Sequence, residues 1–337
     1  MTDVQFFDLG PTTLTCGIHL PQMRLAYQTY GALNDDKSNL ILYPTSYGAQ
    51  HGDIDWLIGA DRVLDPDRYF IVIPNQLGNG LSSSPSNLPM PFDTGRAPPF
   101  NHLDNIAAQD RLLTERFGVD SIALAYGWSM GGQQALHWAA LHPDRVQRLC
   151  VTCTSARTSP HNKLFLEGVR SALTADAAYR DGWFTETPVR GLRAFSRIYA
   201  GWALSQSFYR REMWRDAGHE TLEDFLVRGW EGNFFRRDPR DLLSMLDTWE
   251  TSDIANNATY NGDLAAALGA ITAPAIVMPG STDLYFTETD SRIETAMMPN
   301  AELRPIVSDW GHRAGNPVFS PQEEAFIARA VKDLLDG

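Results

Sequence analysis

The sequence predicts an α/β fold with a mostly parallel central sheet, flanked by helices and interrupted by a helical insertion. Three observations carry that expectation. Short apolar runs alternate with helical patterns through the first half of the 337 residues. The texture becomes almost wholly helical after about Ala156. Strand-like runs then return at Pro274, and an amphipathic helix closes the chain.

The elements follow in order. Leu40 to Tyr43 is an apolar run bounded by Asn39 and Pro44, and Tyr69 to Ile73 ends at Pro74. Ile122 to Ala125 runs into Tyr126 and Gly127, and Leu149 to Thr154 is a fourth run. Apolar runs bounded by turn residues suit parallel strands buried on both faces. Helical spacing fills Asn105 to Phe117 and Gly131 to Leu141. Residues 157–261 are rich in Arg and hold Trp183, Trp202, Trp214, Trp230 and Trp249. This stretch reads as a helical cap, or lid, set into a core made of residues 1–156 and 262–337. Each tryptophan is expected to pack the cap's own interior rather than line a pocket. Pro274 to Met278 and Ala301 to Val307 resume the strands, and Pro321 to Leu335 is the last helix. Ligands of such sheets bind at the carboxyl ends of the strands, where an insertion would cover the site.

Composition narrows the function. Hydrophobic residues make up 43% and charged residues 20%, as in an ordinary globular protein. The formal charge of −13 repels phosphate backbones and anionic membranes, so neither nucleic acid nor a membrane is an expected partner. The N-terminus has no basic or apolar signal region, and no stretch is long and apolar enough to span a bilayer; a cytoplasmic protein is expected. Cys150 and Cys153 form a C-x-x-C, but in a strand they face opposite sides and no second pair completes a zinc site, so core packing is expected. His19, His102 and His161 show no ligand spacing, and no metal is expected.

The segment that carries chemistry is Gly127-Trp-Ser-Met-Gly131, which follows an apolar run and opens a helical pattern. A strand-to-helix turn of this kind exposes a strained serine, here Ser129, as a nucleophile. Glycine is needed on both sides because a side chain there would meet neighbouring backbone. The helix N-terminus then aims free N–H groups at developing negative charge.

A serine nucleophile needs a base and an acid, in the chain order Ser, acid, His. His312 follows the last strand run and is the chosen base; His219, in the helical insertion, is the alternative. His137 and His142 lie along the helix after Ser129, and His51 is near an early loop. Asp283 follows the run ending at Met278 and is the chosen acid, with Asp290 and Asp309 as alternatives. An oxyanion hole needs two preorganised N–H donors. The amides of Met130, after the nucleophile, and Ser46, in the loop after the first strand run, are the candidates, with Tyr47 beside them.

With these segments in place, the chain resembles the homoserine O-acetyltransferase family of α/β-hydrolase-fold enzymes along most of its length. The resemblance rests on Asp65 to Phe70, Gly127 to Trp138, His142 to Val146 and Thr154 to Ser159, with Asp283 and His312 where that family keeps its acid and base. It implies an α/β-hydrolase fold, acyl transfer through a serine ester, and a homodimer. Three segments depart. The family's transferases follow the catalytic histidine with an aspartate for the homoserine ammonium, where this chain has Arg313. A Gly-Ser-Thr-Gly-Pro loop is replaced by Gly80 to Pro85. An Arg-Phe-Asp-x-Asn-Ser-Tyr signature becomes Arg236 to Leu242, in which only Asp238 keeps the acid. Tyr47, Trp128, Arg313 and Asp238 are therefore the candidate substrate contacts.

These readings favour a serine-dependent hydrolase of small acyl esters or related acyl compounds, acting on a small-molecule substrate without a cofactor. The alternative is homoserine O-acetyltransferase, or another alcohol O-acyltransferase, with acetyl-CoA as donor. A non-enzymatic ligand-binding member of the fold is the third reading, opposed by the presence of all three triad residue types.

Overall fold

A computed structural model describes residues 4–92 and 97–337. The first three residues of the N-terminal segment lie outside them. One eight-stranded sheet organises the chain in the order β1-β2-β4-β3-β5-β6-β9-β10. Its strands are β1 (Gln5–Thr13), β2 (His19–Tyr30), β3 (Leu40–Leu42), β4 (Phe70–Pro74), β5 (Leu124–Trp128), β6 (Leu149–Thr152), β9 (Ala275–Met278) and β10 (Ala301–Leu303). β7 (Tyr179–Arg180) and β8 (Trp183–Phe184) form a separate two-stranded hairpin. From β4 to β10 all pairings in the large sheet are parallel, while β2 runs antiparallel to both β4 and β1. The sequence reading did not include β1 and β2. Their residues mix apolar and polar side chains in place of the continuous apolar runs of the buried strands, and β1 is mostly exposed or half-exposed.

The central strands are buried on both faces. In β5, Leu124 and Tyr126 pack on one side with Ile41, Ile71, Cys150 and Ile276. Ala125 packs on the other with Leu42, Val72, Val151 and Val277. Alternation across a doubly covered sheet explains why these strands read as continuous apolar runs. β5 begins two residues later than its apolar run, and β10 stops at Leu303, before Pro305, which has no N–H to continue a ladder.

Helix α1 (His102–Arg111) starts three residues before the expected point, because Asn101 and Asp104 form a capping box. α2 (Met130–Leu141) follows β5 directly and is buried almost throughout. Between β6 and β9, residues 157–261 contribute no strand to the large sheet. They carry α3 (Pro160–Thr174), α4 (Val189–Ala203) and the helix Pro239–Glu250, among shorter turns. Phe165, Phe195, Tyr199 and Trp249 bring these helices together in one cluster that also takes in Tyr47 and Met130, so the helical stretch packs straight onto the end of β5. Ile254 donates its amide to the Ala156 carbonyl at 3.0 Å, and Ile254 and Ala255 join the sheet's own core. The chain leaving the helical stretch thus packs back against the residue at which the stretch begins. Trp214, Trp230 and Trp249 are buried in the cluster and Trp183 is exposed. Among the described residues, no helix is long and apolar enough to cross a membrane.

Candidate active site

β5 ends at Trp128 and α2 begins at Met130, which leaves Ser129 alone in the turn at φ 56° and ψ −128°. A non-glycine residue in this region is strained and persists only where its surroundings hold it. The surroundings are tight. A Cβ at Gly127 would overlap the Gly131 carbonyl and the Gly132 nitrogen, and one at Gly131 would overlap the Pro44 carbonyl. One at Gly132 would stand 2.7–2.9 Å from atoms of the Thr154 side chain. Thr154 donates its hydroxyl to the Ser129 carbonyl at 2.7 Å, and the Ser129 amide donates to the Thr152 carbonyl at 3.0 Å. The glycines therefore let the elbow close against the sheet, and these two bonds hold it closed.

The structure brings Ser129, His312 and Asp283 together. His312 Nε2 lies 2.9 Å from Ser129 Oγ, and His312 Nδ1 lies 2.7 Å from Asp283 Oδ2. A carboxylate accepts only, so Nδ1 carries the proton and Nε2 is left to accept from the serine hydroxyl. Asp283 Oδ1 accepts from the amides of Tyr285 at 2.8 Å and Phe286 at 3.2 Å, which fixes the carboxylate's orientation. His312 sits in a short 3-10 turn, Gly311–Gly315. Gly311 has φ 58°, and a Cβ there would run into Ala203 and Leu204 at the end of α4. The Tyr285 and Phe286 rings flank the imidazole, with centroids 4.9 and 5.6 Å away.

The loop after β3 reaches the same point. Ser46 Oγ donates to the Trp128 carbonyl at 2.5 Å, and the Ser46 carbonyl accepts from Gln76 Nε2 at 3.0 Å. Among the described residues, the amides of Ser46 and Met130 have no acceptor. Tyr47 is anchored through its hydroxyl to the Leu242 carbonyl at 3.1 Å and stacks on Tyr199, 5.6 Å between centroids. Burial pushes the Tyr47, Tyr199 and Tyr285 hydroxyls well above their ordinary values, so all three stay neutral.

Tyr47, Trp128 and Arg313 line one cleft of about 410 Å³ beside the elbow. Asp238 does not. It is the N-cap of the helix Pro239–Glu250, accepting the Arg240 amide at 2.9 Å and ion-pairing with the Arg240 guanidinium at 2.8 Å. An aspartate just before a helix-opening proline is a capping signal, and that pattern was already present in the sequence. The structure thus gives Asp238 a capping role, outside the cleft that Tyr47, Trp128 and Arg313 line.

The other candidates have local roles. Asp290 lies in the first turn of a helix and bonds the Thr287 hydroxyl. Asp309 pairs with Arg211. His219 faces Asp224 at 3.3 Å, His51 bonds Asn75, and buried His137 bonds the Gln133 carbonyl at 2.8 Å. Burial pulls the His137 pKa down to about 4. Cys150 is buried in the sheet core, where burial pushes its thiol up to about 12. Cys153 is buried too, but it lies just past β6 at φ 45°, and its sulfur sits within 4.8 Å of ligand atoms of Asp283 and His312. Burial, with the Asp283 charge second, holds its thiol far above the ordinary value, so it stays protonated and unsuited to thiolate chemistry. Tyr199, Tyr285, Phe286 and Gln76 were absent from the sequence reading. Tyr285 and Phe286 were traceable as the residues just beyond Asp283, whereas Tyr199 and Gln76 carry no local signal.

Residues 44–314 match the family described as alpha/beta hydrolase fold. An ethyl acetate hydrolase from Pseudomonas veronii is 38% identical over 91% of this chain and 88% of its own. A homoserine O-acetyltransferase from Bradyrhizobium diazoefficiens is 33% identical over 96% of this chain and 89% of its own. The crystal structure of an acetylester hydrolase from Corynebacterium glutamicum superposes with a TM-score of 0.96 at 34% identity, covering 99% of this chain and 96% of that one. A serine elbow at the end of a central parallel strand and a family match over most of the chain agree: this chain is an enzyme of the α/β-hydrolase-fold family, in the group that joins serine esterases to homoserine O-acetyltransferase-like enzymes.

Proposed function

We propose that the protein hydrolyses small acyl esters, acetyl esters among them, through a covalent acyl-Ser129 intermediate. The observation that carries this reading is the unbroken line from Ser129 Oγ through His312 to Asp283, at 2.9 and 2.7 Å. His312 Nε2 takes the hydroxyl proton as Ser129 Oγ attacks the ester carbonyl carbon. The carbonyl electron pair moves to its oxygen, which the amides of Met130 and Ser46 receive. Asp283 keeps the imidazole in register and stabilises the imidazolium without taking its proton. As the bond to the alcohol oxygen breaks, His312 gives that oxygen its proton. A water then attacks the acyl-Ser129 and loses a proton to His312, which returns it to Oγ as the acid departs.

Water rather than an amino alcohol is the second nucleophile in this reading. Arg313 puts a positive charge where a homoserine ammonium would need a negative one. The Ser82 and Ser84 hydroxyls donate to the Asn75 and Ser82 carbonyls, and Ser83 Oγ accepts the Arg24 amide, so this loop's hydroxyls are tied to the chain's own backbone where the transferase family has its Gly-Ser-Thr-Gly-Pro segment. The named activities of the ethyl acetate hydrolase and the acetylester hydrolase point the same way. Residues 157–261 serve as the cap in this account. A cofactor-independent, cytoplasmic homodimer completes it, supported by three free cysteines and by exposed apolar side chains such as Phe319 and Val307.

Incubation with p-nitrophenyl acetate and with ethyl acetate tests the reading, alongside acetyl-CoA with and without homoserine. Ester turnover that disappears in Ser129→Ala is expected. Homoserine-dependent release of the CoA thiol would replace the hydrolase by the transferase.

A further inference from the structure

Arg313 is the residue directly after the histidine, and it faces two cavities at once. One is the cleft it shares with Tyr47 and Trp128. The other lies beneath Trp230 and Trp310. Its guanidinium has no hydrogen bond and no carboxylate within ion-pair distance among the described residues. The acid whose charge acts on it most is Asp53. That carboxylate is already engaged, by Arg237 at 2.7 Å, by Arg236 at 3.4 Å and by the Gln50 amide at 2.9 Å. Asp55, also on the cleft wall, accepts the Tyr30 hydroxyl at 3.1 Å. Tyr199, the other group acting on Arg313, is held neutral by burial. Arg236, the other arginine on the cleft wall, shares the Asp53 carboxylate with Arg237, whereas Arg313 has no ion pair among the described residues.

A half-buried guanidinium costs free energy unless something pairs with it, and its planar fork fits a carboxylate in two parallel bonds. We propose that Arg313 is the specificity-determining residue of the ester site and binds a carboxylate carried by the substrate, so that the enzyme prefers anionic esters over neutral ones of the same shape. The inference rests on the ester-hydrolase reading and names its substrate class. Charge and fork geometry both enter: a neutral analogue leaves the guanidinium unpaired, and such mismatches discriminate strongly.

The test uses two matched pairs of esters. One places the charge on the alcohol side, 4-acetoxybenzoate against 4-acetoxybenzamide. The other places it on the acyl side, p-nitrophenyl hemisuccinate against p-nitrophenyl butyrate. In the parent enzyme, kcat/KM for the anionic member of one pair should exceed that of its neutral partner, and the side on which this occurs locates the carboxylate. That ratio should fall by about tenfold or more in Arg313→Gln, mainly through KM, and recover in part in Arg313→Lys, which keeps the charge but loses the fork. A readout that needs no variant is competition in the parent: benzoate should inhibit hydrolysis of 4-acetoxybenzamide and benzamide should not. Ser129-dependent turnover with no anionic preference in either pair, or a ratio unmoved in a folded Arg313→Gln protein, overturns the inference and leaves the hydrolase reading intact. Absence of Ser129-dependent turnover on all four esters overturns both.

Discussion

The indole Nε1 of Trp128 donates to the carbonyl oxygen of His312 at 3.2 Å, with ring centroids 5.1 Å apart. The residue before the nucleophile thus holds the turn that carries the base. A Cβ at Gly315 would fall 2.6 Å from the Trp128 ring and 2.8 Å from the Cys153 sulfur, so the turn has little room to shift in that direction. Trp128→Phe keeps the ring and removes the donor. The expected result is a fall in kcat of roughly tenfold, because small displacements of a catalytic group are costly. KM for p-nitrophenyl acetate should change far less. Steady-state kinetics checks this, and an unchanged kcat would show that the bond does not position His312.

Ser46 makes the matching tie on the other side, through its hydroxyl to the Trp128 carbonyl. Ser46→Ala removes the donor from a buried acceptor, which should destabilise the protein by about 1–3 kcal/mol. It should also lower kcat, because the oxyanion loop loses its anchor to the elbow. Urea melts and kcat on one preparation report both, and a stability loss without a rate loss would confine Ser46 to packing.

Gly127→Ala tests the elbow's close approach. The new methyl group would meet backbone atoms of Gly131 and Gly132, which cannot rotate away as a side chain can. A loss of about 3 kcal/mol or more is expected, on the scale of severe overpacking. Thermal melting checks it, and a parental midpoint would mean the turn can relax.

These substitutions separate what the sequence makes legible from what it does not. Gly127, Ser129 and Gly131 are local, three residues within five, and the turn they form is a property of that spacing. Asp283 and His312 are each readable as the residue after a strand run, yet the contact between them depends on β9 and β10 lying side by side. Asp238 shows the opposite case: one sequence pattern fits both a ligand contact and a helix cap, and only the fold separates the two. Tyr199 reaches the site from α4, seventy residues beyond Ser129, so no local pattern could have marked it. The β1–β2 hairpin escaped because half-exposed antiparallel strands lack the continuous apolar runs of the parallel core.

Two acids outside the triad, buried Asp241 and half-buried Glu294, make stability depend on pH. Burial pushes Asp241 up to about 7, outweighing the hydroxyl and amide of Ser86 that bond its carboxylate form. Burial likewise pushes Glu294 up to about 7, against the amides of Ala156 and Arg157. A carboxyl with a raised folded-state pKa binds more protons folded than unfolded. Its contribution to stability is therefore full below its ordinary value, 3.8 or 4.5, and is lost as the pH rises to about 7. Asp241→Asn and Glu294→Gln should each lose less stability than the parent between pH 5 and pH 8, by about 1 kcal/mol or more. Urea melts at the two pH values measure this, and variants that track the parent would contradict it.

The central claim is that the acyl group passes through Ser129. Acid-quenched reaction with p-nitrophenyl acetate, followed by peptide mapping by mass spectrometry, tests it most directly. The account predicts an acetyl group on the peptide carrying Ser129 in the parent, and neither adduct nor turnover in Ser129→Ala. An acetyl group on a different residue, or a Ser129→Ala protein that turns over the ester at the parental rate, would contradict it.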